Sequence, residues 1–504
     1  MSDNVKYEGA TPLPEYLIKS IAEQGYSLET SLADLIDNSI TAGANQVEIL
    51  IDTDNVPFTL FLADNGNGMS EEQLKKCMQF PSTSLEFARD NTDLGRFGLG
   101  MKTASFAQTR CFTVISRESG KTRFAARTWD VDYLRTVKEW RILVNNEHES
   151  SQLLHKYRKL SSAFFNSFPD YQPNTVIVWQ GLYKFEDYLD GLNRTESLKH
   201  QITETTTEYL SLVFHRFMEK ANNPLKIRVN NTLIIPFNPF RADQSDLRLI
   251  ESKQKSFKTD VIKLEGYVLP IRCIDESKDA GNIWTTKSKG LMDMEGMYVY
   301  RADRIIIFGG WNGIIRKSPR LQLARLKVEV GNKVDNLLHL NVAKSQISIP
   351  YDLRIGFLKY ISELKTEAEK EYFNRGLRII SSKKSDEVPL LFERKASNKG
   401  MLIELNPKFP LIRVLMNGMG NDAEKAFKVL IKIINTSINK LRHVHEDATF
   451  NSDVLQTDDG KALFETIKHL LNNGTSKEII KLTILPSLGY RVDTIPETVT
   501  QLLK

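Results

Sequence analysis

The chain has 504 residues, and at about 150 residues per domain that length suggests three domains. Its 41% hydrophobic and 26% charged residues are those of an ordinary globular chain, which excludes disordered, collagenous and coiled-coil classes. No run of about 18 apolar residues occurs, which excludes a membrane-spanning helix, and a net charge of +5, from 68 basic against 63 acidic side chains, does not by itself indicate a nucleic-acid partner.

The opening MSDNVKYEGA lacks a basic segment followed by an apolar one, so a cytoplasmic location is expected. Cys77, Cys111 and Cys273 are scattered and form no metal-ligand or disulfide spacing. From Glu15 to Ala42, Leu17, Ile18, Ile21, Leu28, Leu32, Leu35, Ile36 and Ile40 recur at helical steps, predicting two amphipathic helices parted at Gly25. Gly43 stops the second helix. Alternation over Gln46 to Asp52 and again over Thr59 to Ala63 predicts two strands, the second running into Asp64-Asn65-Gly66-Asn67-Gly68.

Further strands are predicted at Cys111 to Ile115, Arg123 to Ala126 and Thr175 to Trp179, giving an α+β sandwich with helices on one face. Leu198 to Met218 reads as one helix, and Leu225 to Val229 opens a second mixed region that runs to about Pro350. The remainder is mostly helical in pattern, with an extended interruption near Met401 to Leu415.

Three boxes carry chemistry. In Ser31-Leu32-Ala33-Asp34-Leu35-Ile36-Asp37-Asn38-Ser39, a helix stacks Asp34 and Asn38 one turn apart, away from the Leu32, Leu35, Ile36 and Ile40 face. A carboxylate and an amide so placed can hold a water beside a hard cation, because Mg²⁺ takes few protein oxygens. Read alone, the box fits a solvated polar face better. In Asp64-Asn65-Gly66-Asn67-Gly68-Met69, a carboxylate at a strand end can accept from an exocyclic amine while glycines admit a flat ligand; an Asn-Gly turn is the plain alternative. In Gly95-Arg96-Phe97-Gly98-Leu99-Gly100-Met101-Lys102-Thr103, glycines before a helix start can cradle phosphate, or simply cap the helix.

Taken in order, with the serine- and threonine-bearing segment Pro81 to Leu94 between the second and third, the boxes resemble the GHKL ATPase superfamily of gyrase B, heat-shock chaperones, histidine kinases and MutL. The wording GRFGLGMKTAS is most similar to the MORC-like branch. The resemblance implies an N-terminal Bergerat-type α/β sandwich ATPase over residues 1–222 with an ATP lid at about 78–100. It further implies an S5-like transducer domain over 223–352 and a mostly helical C-terminal region, 353–504, for dimerisation or partner docking.

It also implies the cofactors ATP and Mg²⁺ and a role for each residue. Asn38 would hold Mg²⁺ and Asp64 would read adenine with Thr175. Gly66, Gly68 and Met69 would line the nucleotide, and Gly95, Arg96, Phe97, Gly98, Leu99, Gly100, Met101, Lys102 and Thr103 would hold the phosphates. Asp34 stands where the family usually has the glutamate that orients the attacking water; aspartate is a methylene shorter, so slow turnover is expected.

Lys344, in Leu340-Asn341-Val342-Ala343-Lys344, is similar to the MutL-type lysine loop that reaches the γ-phosphate, and fits an exposed loop lysine equally. Gly296 to Arg304 resembles the strand and turn of the transducer. Arg301, Arg304, Arg316, Lys317, Arg320, Arg325 and Lys327 make the neighbouring stretch basic, as a phosphate-backbone track or a solvated surface would be. The function implied is an ATP-gated homodimeric clamp on DNA, set in bacterial anti-phage defence or DNA metabolism and working with a partner nuclease, since neither a DQHA-type motif nor a topoisomerase-like acidic cluster is present. A chaperone-like ATPase acting on protein clients is the alternative.

Overall fold

A computed structural model describes residues 8, 11–23, 25–80, 100–161, 171–186, 193–257, 260–277, 282–331, 338, 348–381, 391–397 and 400–443. Beyond these it describes 464, 467, 468, 471, 477, 480, 481, 485 and 497–503. Two compact units divide the chain, Met1–Gly376 and Leu377–Lys504.

The first unit begins with α1 (Pro14–Ala22) and α2 (Leu28–Thr41), separated by Gly25 at φ +79°. Ser27 and Thr30 form a capping box at the start of α2, satisfying amides that the helix cannot. Leu28, Leu32, Leu35 and Ile36 then enter the core, and Gly43, at φ +78°, lets the chain turn into β1.

The strands are β1 (Gln46–Asp52), β2 (Thr59–Asp64), β3 (Cys111–Ser116), β4 (Ala125–Asp130), β5 (Leu143–Val144), β6 (Thr175–Gln180), β7 (Lys226–Val229) and β8 (Thr232–Leu233). They form one sheet in the order β5-β4-β3-β6-β2-β1-β7-β8, antiparallel except where β7 joins β1. Both faces of the sheet are covered. Leu60 and Leu62 of β2 join the core that includes α2, whereas Phe61 and Ala63 pack with Leu154 and Tyr157 of α6 (Glu147–Ser161) on the opposite face. Alternate residues therefore meet different layers, which is why β2 is apolar along its length rather than alternating. The expectation of helices on one face is corrected by α6.

Shorter helices complete this part: α3 (Glu71–Met78), α4 (Gly100–Phe106), α5 (Val131–Val137), α7 (Tyr183–Glu186), α8 (Arg194–His200), α9 (Thr207–Val213) and α10 (His215–Met218). The single helix expected from Leu198 to Met218 is broken by a π-helical stretch, Gln201–Thr206, and again at Phe214.

A second sheet holds β9 (Arg248–Leu249), β10 (Lys253–Phe257), β11 (Asp260–Val268), β12 (Gly296–Arg301), β13 (Arg304–Phe308) and β14 (Ala324–Val330), with α11 (Cys273–Glu276) and α12 (Leu291–Met294) before β12. Its order is β10-β11-β14-β12-β13, and β9 also pairs with β11. Ala302 and Asp303, at φ +46° and +67°, make the two-residue turn between β12 and β13.

Helix α13 (Tyr351–Ser381) lays Leu353, Phe357, Tyr360, Ile361, Leu364 and Ala368 on this sheet. The Tyr360 hydroxyl accepts from Gly266 N at 2.7 Å and donates to Glu251 O at 2.8 Å. The 222/223 boundary expected from sequence falls just before β7, which completes the first sheet. The expected start at 353 falls inside α13, which packs on the second sheet.

In the second unit, a hairpin of β15 (Phe392–Ser397) and β16 (Gly400–Leu405) precedes α14 (Pro410–Gly418) and α15 (Asn421–His443). Asn435 and Asn439 of α15 satisfy the free edge of β16, accepting from Leu405 N at 2.8 Å and Ile403 N at 3.1 Å. The extended interruption therefore ends at Leu405, not Leu415. A last helix spans Glu497–Leu503. Among the described residues no helix is long and apolar enough to cross a membrane.

Candidate nucleotide site

The second box sits at the end of β2. Asp64 is 4% exposed, and its carboxylate accepts from Ser39 Oγ of α2 at 2.9 Å and from Gly66 N at 2.9 Å. Burial pushes its carboxyl up to about 6, against the lowering effect of those two bonds. Strand register places Thr175 opposite Asp64 and Ser116 opposite Thr175. The Ser116 and Thr175 hydroxyls are 2.9 Å apart, and Ser116 Oγ also accepts from Met69 N at 3.0 Å. Asn174 donates from its backbone to Asp64 O and from its side chain to Gly66 O, both at 2.8 Å. One polar rim thus joins Asp64, Gly66, Met69 and Thr175, with Ser39, Ser116 and Asn174 as members that the box pattern did not single out.

The glycines of this box have a steric reason. Gly68 has φ +65°, and a Cβ there would lie 1.8 Å from Arg117 O. A Gly68→Ala variant is expected to lose about 2–5 kcal/mol of stability, combining the left-handed backbone and a forced repacking, as measured by chemical denaturation. At Gly66 a Cβ would stand 2.9 Å from Ala42 O and 3.0 Å from Asp64 Oδ1.

The first box is not a solvated face. Asp34 is 3% and Asp37 1% exposed, whereas Asn38 faces outward. Asp34 Oδ2 accepts from the Tyr26 hydroxyl at 2.7 Å, and a Cβ on Gly100 would be 3.7 Å from the same oxygen. The first box therefore abuts the described end of the third. The Thr103 hydroxyl bonds Tyr26 in turn; burial, then the Asp34 charge, keeps the Tyr26 phenol well above its ordinary range, so it remains a donor. Arg304 of β13 closes the pocket, with Nε 2.9 Å from Asp37 Oδ1 and a terminal nitrogen 3.6 Å from Asp34 Oδ1.

Gly95, Arg96, Phe97, Gly98 and Leu99, most of the expected lid, and Lys344 lie outside the described residues. From Gly100 onward the third box forms α4. Met101 is half-buried, and Thr103 Oγ1 donates to Gly100 O at 3.1 Å. Lys102 is 1% exposed, donates from Nζ to Cys77 O at 2.8 Å at the end of α3, and lies 5.5 Å over the Phe80 ring. Burial lowers its ammonium to about 8. Among the described residues no group of three or more His, Cys, Asp or Glu side chains could hold a metal ion.

Three of the seven basic residues from Arg301 to Lys327 are internal, which corrects the reading of the stretch as one surface track. Arg301, Arg304 and Arg325 are at most 4% exposed, and Lys327 pairs with Glu265 at 2.8 Å. Arg325 spends two nitrogens on Pro239 O and Trp284 O. Arg316 and Lys317 are exposed and Arg320 is half-buried.

Residues 26–161 match the family model described as histidine kinase-, DNA gyrase B-, and HSP90-like ATPase. The chain is 37% identical over 114 residues to the DNA mismatch repair protein MutL of Borreliella afzelii (strain PKo), covering 22% of this chain and 18% of that protein. It is also 37% identical over 111 residues to the MutL of Microcystis aeruginosa (strain NIES-843 / IAM M-2473), covering 21% of this chain and 20% of the relative. The match thus spans about a fifth of the length of these curated relatives. Residues 26–161, which hold all three boxes, are the part of the chain that is similar to the histidine kinase-, DNA gyrase B- and HSP90-like ATPases.

Proposed function

We propose that the chain binds ATP at this site and hydrolyses it slowly. The observation that carries the reading is the meeting of the two boxes: the Asp34 carboxylate, buried yet 3.7 Å from where a Gly100 Cβ would stand, borders the segment that would hold the phosphates. Asp64 accepts the adenine amine, supported by Thr175 through the Ser116 row. Gly66, Gly68 and Met69 lie against the base. The third box, Gly95 to Thr103, would hold the phosphates through its backbone, since the Lys102 ammonium is engaged with Cys77 O. Asp34, kept in orientation by Tyr26, accepts a proton from the attacking water. Asn38 offers one hard oxygen at the exposed edge of α2, a donor set that fits a Mg²⁺ completed by phosphate and water oxygens. When bound, Mg²⁺ neutralises phosphate charge. Lys344 would add a cation to the γ-phosphate.

Asp64 supplies a pH test. Its ordinary value is 3.8, and burial raises it to about 6, so the ionised acceptor is present above that pH and lost below it. Affinity for an adenine nucleotide should therefore fall as pH drops through about 6. Asp64→Asn should weaken binding by about 10- to 100-fold, the loss of a charge-assisted bond. It should leave thermal stability at pH 8 unchanged or higher, because burial disfavours the charged carboxylate. Calorimetric titration between pH 5 and 8 measures the two effects on affinity, and thermal unfolding at pH 8 the effect on stability.

At the level of the whole chain, the reading is an ATP-gated homodimeric clamp acting on DNA with a partner nuclease. The named function of the MutL relatives supports DNA over protein clients as the substrate. The MORC-like branch and the defence setting rest on the wording of the third box. Filter binding to duplex DNA, with chain mass followed alongside, tests the clamp. ATP-dependent retention by a dimer supports it, and an ATP-independent monomer without DNA affinity contradicts it.

A further inference from the structure

The two buried carboxylates of α2 face a cation supplied by a different sheet. Arg304 begins β13, directly after the Ala302-Asp303 turn, and its side chain is 1% exposed. Asp37 takes the close contact at 2.9 Å and Asp34 the looser one at 3.6 Å. Phe214, 5.9 Å from ring centroid to guanidinium carbon, lies on the same cation, and Tyr209 of α9 is close enough to feel its charge. The Tyr26 hydroxyl holds the other oxygen of Asp34. One side of the proposed water-activating group is thus fixed by the loop between α1 and α2, and the other by the second sheet.

The same contact region carries further links between the sheets. Arg216 of α10 pairs with Glu329 of β14 and lies 3.7 Å over the Tyr300 ring of β12. His215, neutral because burial lowers it to about 4, is 3.3 Å from the Tyr300 hydroxyl. A shift of the β12–β13 hairpin by a few ångströms would pull Arg304 from two buried carboxylates, a costly state, so hairpin position and carboxylate orientation are coupled.

We propose that Arg304 is a positioning residue for hydrolysis, tying the orientation of the Asp34 carboxylate to the docked position of the β12–β13 hairpin. Enclosed behind α2, it acts through Asp34 and Asp37 rather than on the nucleotide. This inference rests on the ATPase reading above.

The test uses the full chain as wild type, Arg304→Gln, Arg304→Lys and Asp34→Asn. Affinity for a non-hydrolysable ATP analogue with Mg²⁺, kcat per nucleotide-binding site, and hydrogen exchange of amides 296–308 are measured with and without the analogue. Arg304→Gln should bind the analogue within about threefold of wild type yet lose about 10- to 100-fold in kcat, the scale of a misplaced reacting group. Arg304→Lys, which keeps the charge but not the fork, should recover part of that loss. The analogue should change hairpin exchange in wild type, and less in Arg304→Gln.

Unchanged kcat per site in Arg304→Gln overturns the proposal, as does a wild-type hairpin whose exchange ignores the analogue. Should Arg304→Gln fail to fold, Arg304→Lys and the wild-type exchange decide by the same criteria. A wild-type rate in Asp34→Asn refutes the assignment of Asp34 as the water-activating group and this inference with it, whereas no nucleotide binding at all refutes the ATPase reading and this inference together. Inactive Asp34→Asn beside fully active Arg304→Gln refutes the inference alone.

Discussion

Asp34→Asn is expected to lower ATP turnover by about 10²–10⁴-fold, the usual worth of a general base, while nucleotide affinity stays close to wild type. The replacement is nearly isosteric. Its amide oxygen can still accept from Tyr26, and Arg304 keeps Asp37 as its closer partner at 2.9 Å, so the pocket retains its main ion pair. What disappears is a carboxylate able to take a proton beside the phosphate segment. Phosphate release under saturating ATP and Mg²⁺ measures the effect. A variant as fast as wild type would place the base elsewhere.

Arg304→Ala should cost about 3–5 kcal/mol of folding stability, the range for removing one partner of a buried ion pair. The figure needs no discount for solvent, since the Arg304 side chain is 1% and the paired carboxylates at most 3% exposed. Removing the guanidinium leaves Asp34 and Asp37 as two buried carboxylates on one helical turn without their cation. Adding Asp37→Asn to the same chain should restore part of the loss, because one buried charge then remains rather than two. Urea denaturation followed by circular dichroism tests both. A loss below about 1 kcal/mol would mean that water reaches the pair.

The sequence revealed the N-terminal part where local signals agree with tertiary demands. The helical spacing of Leu28, Leu32, Leu35 and Ile36 fixes α2, and the Asn-Gly run after Ala63 marks the end of β2 because no regular element tolerates it. Other features depend on partners distant in sequence. β7 looked like the opening of a second region, yet it pairs parallel to β1, a contact across almost two hundred positions that no local pattern encodes. The layer formed by α6 was missed because its apolar residues are few, only Leu154 and Tyr157 being buried with the sheet.

The site divides in the same way. Asp64 and Thr175 were joined in the sequence only by the family resemblance, and the β2–β6 register is what places them opposite each other; Ser39 stood unremarked within the first box and Asn174 beside Thr175. Arg304 was legible as a basic residue but not as an internal one. A run of arginines and lysines looks alike on paper whether it meets solvent or buried carboxylates, and only the β12–β13 turn shows where the guanidinium points. Asp34 likewise looked like part of a polar face until Tyr26 and Arg304 enclosed it.

The central claim is an adenine-nucleotide site read by Asp64, and the most direct measurement is calorimetric titration of the purified chain with ATP and with GTP, each with Mg²⁺, at pH 8. Adenine presents an amine to the carboxylate where guanine presents an oxygen acceptor, so ATP should bind at least about tenfold more tightly, and Asp64→Asn should erase the preference. Equal affinity for the two nucleotides, or no binding of ATP, would contradict the account.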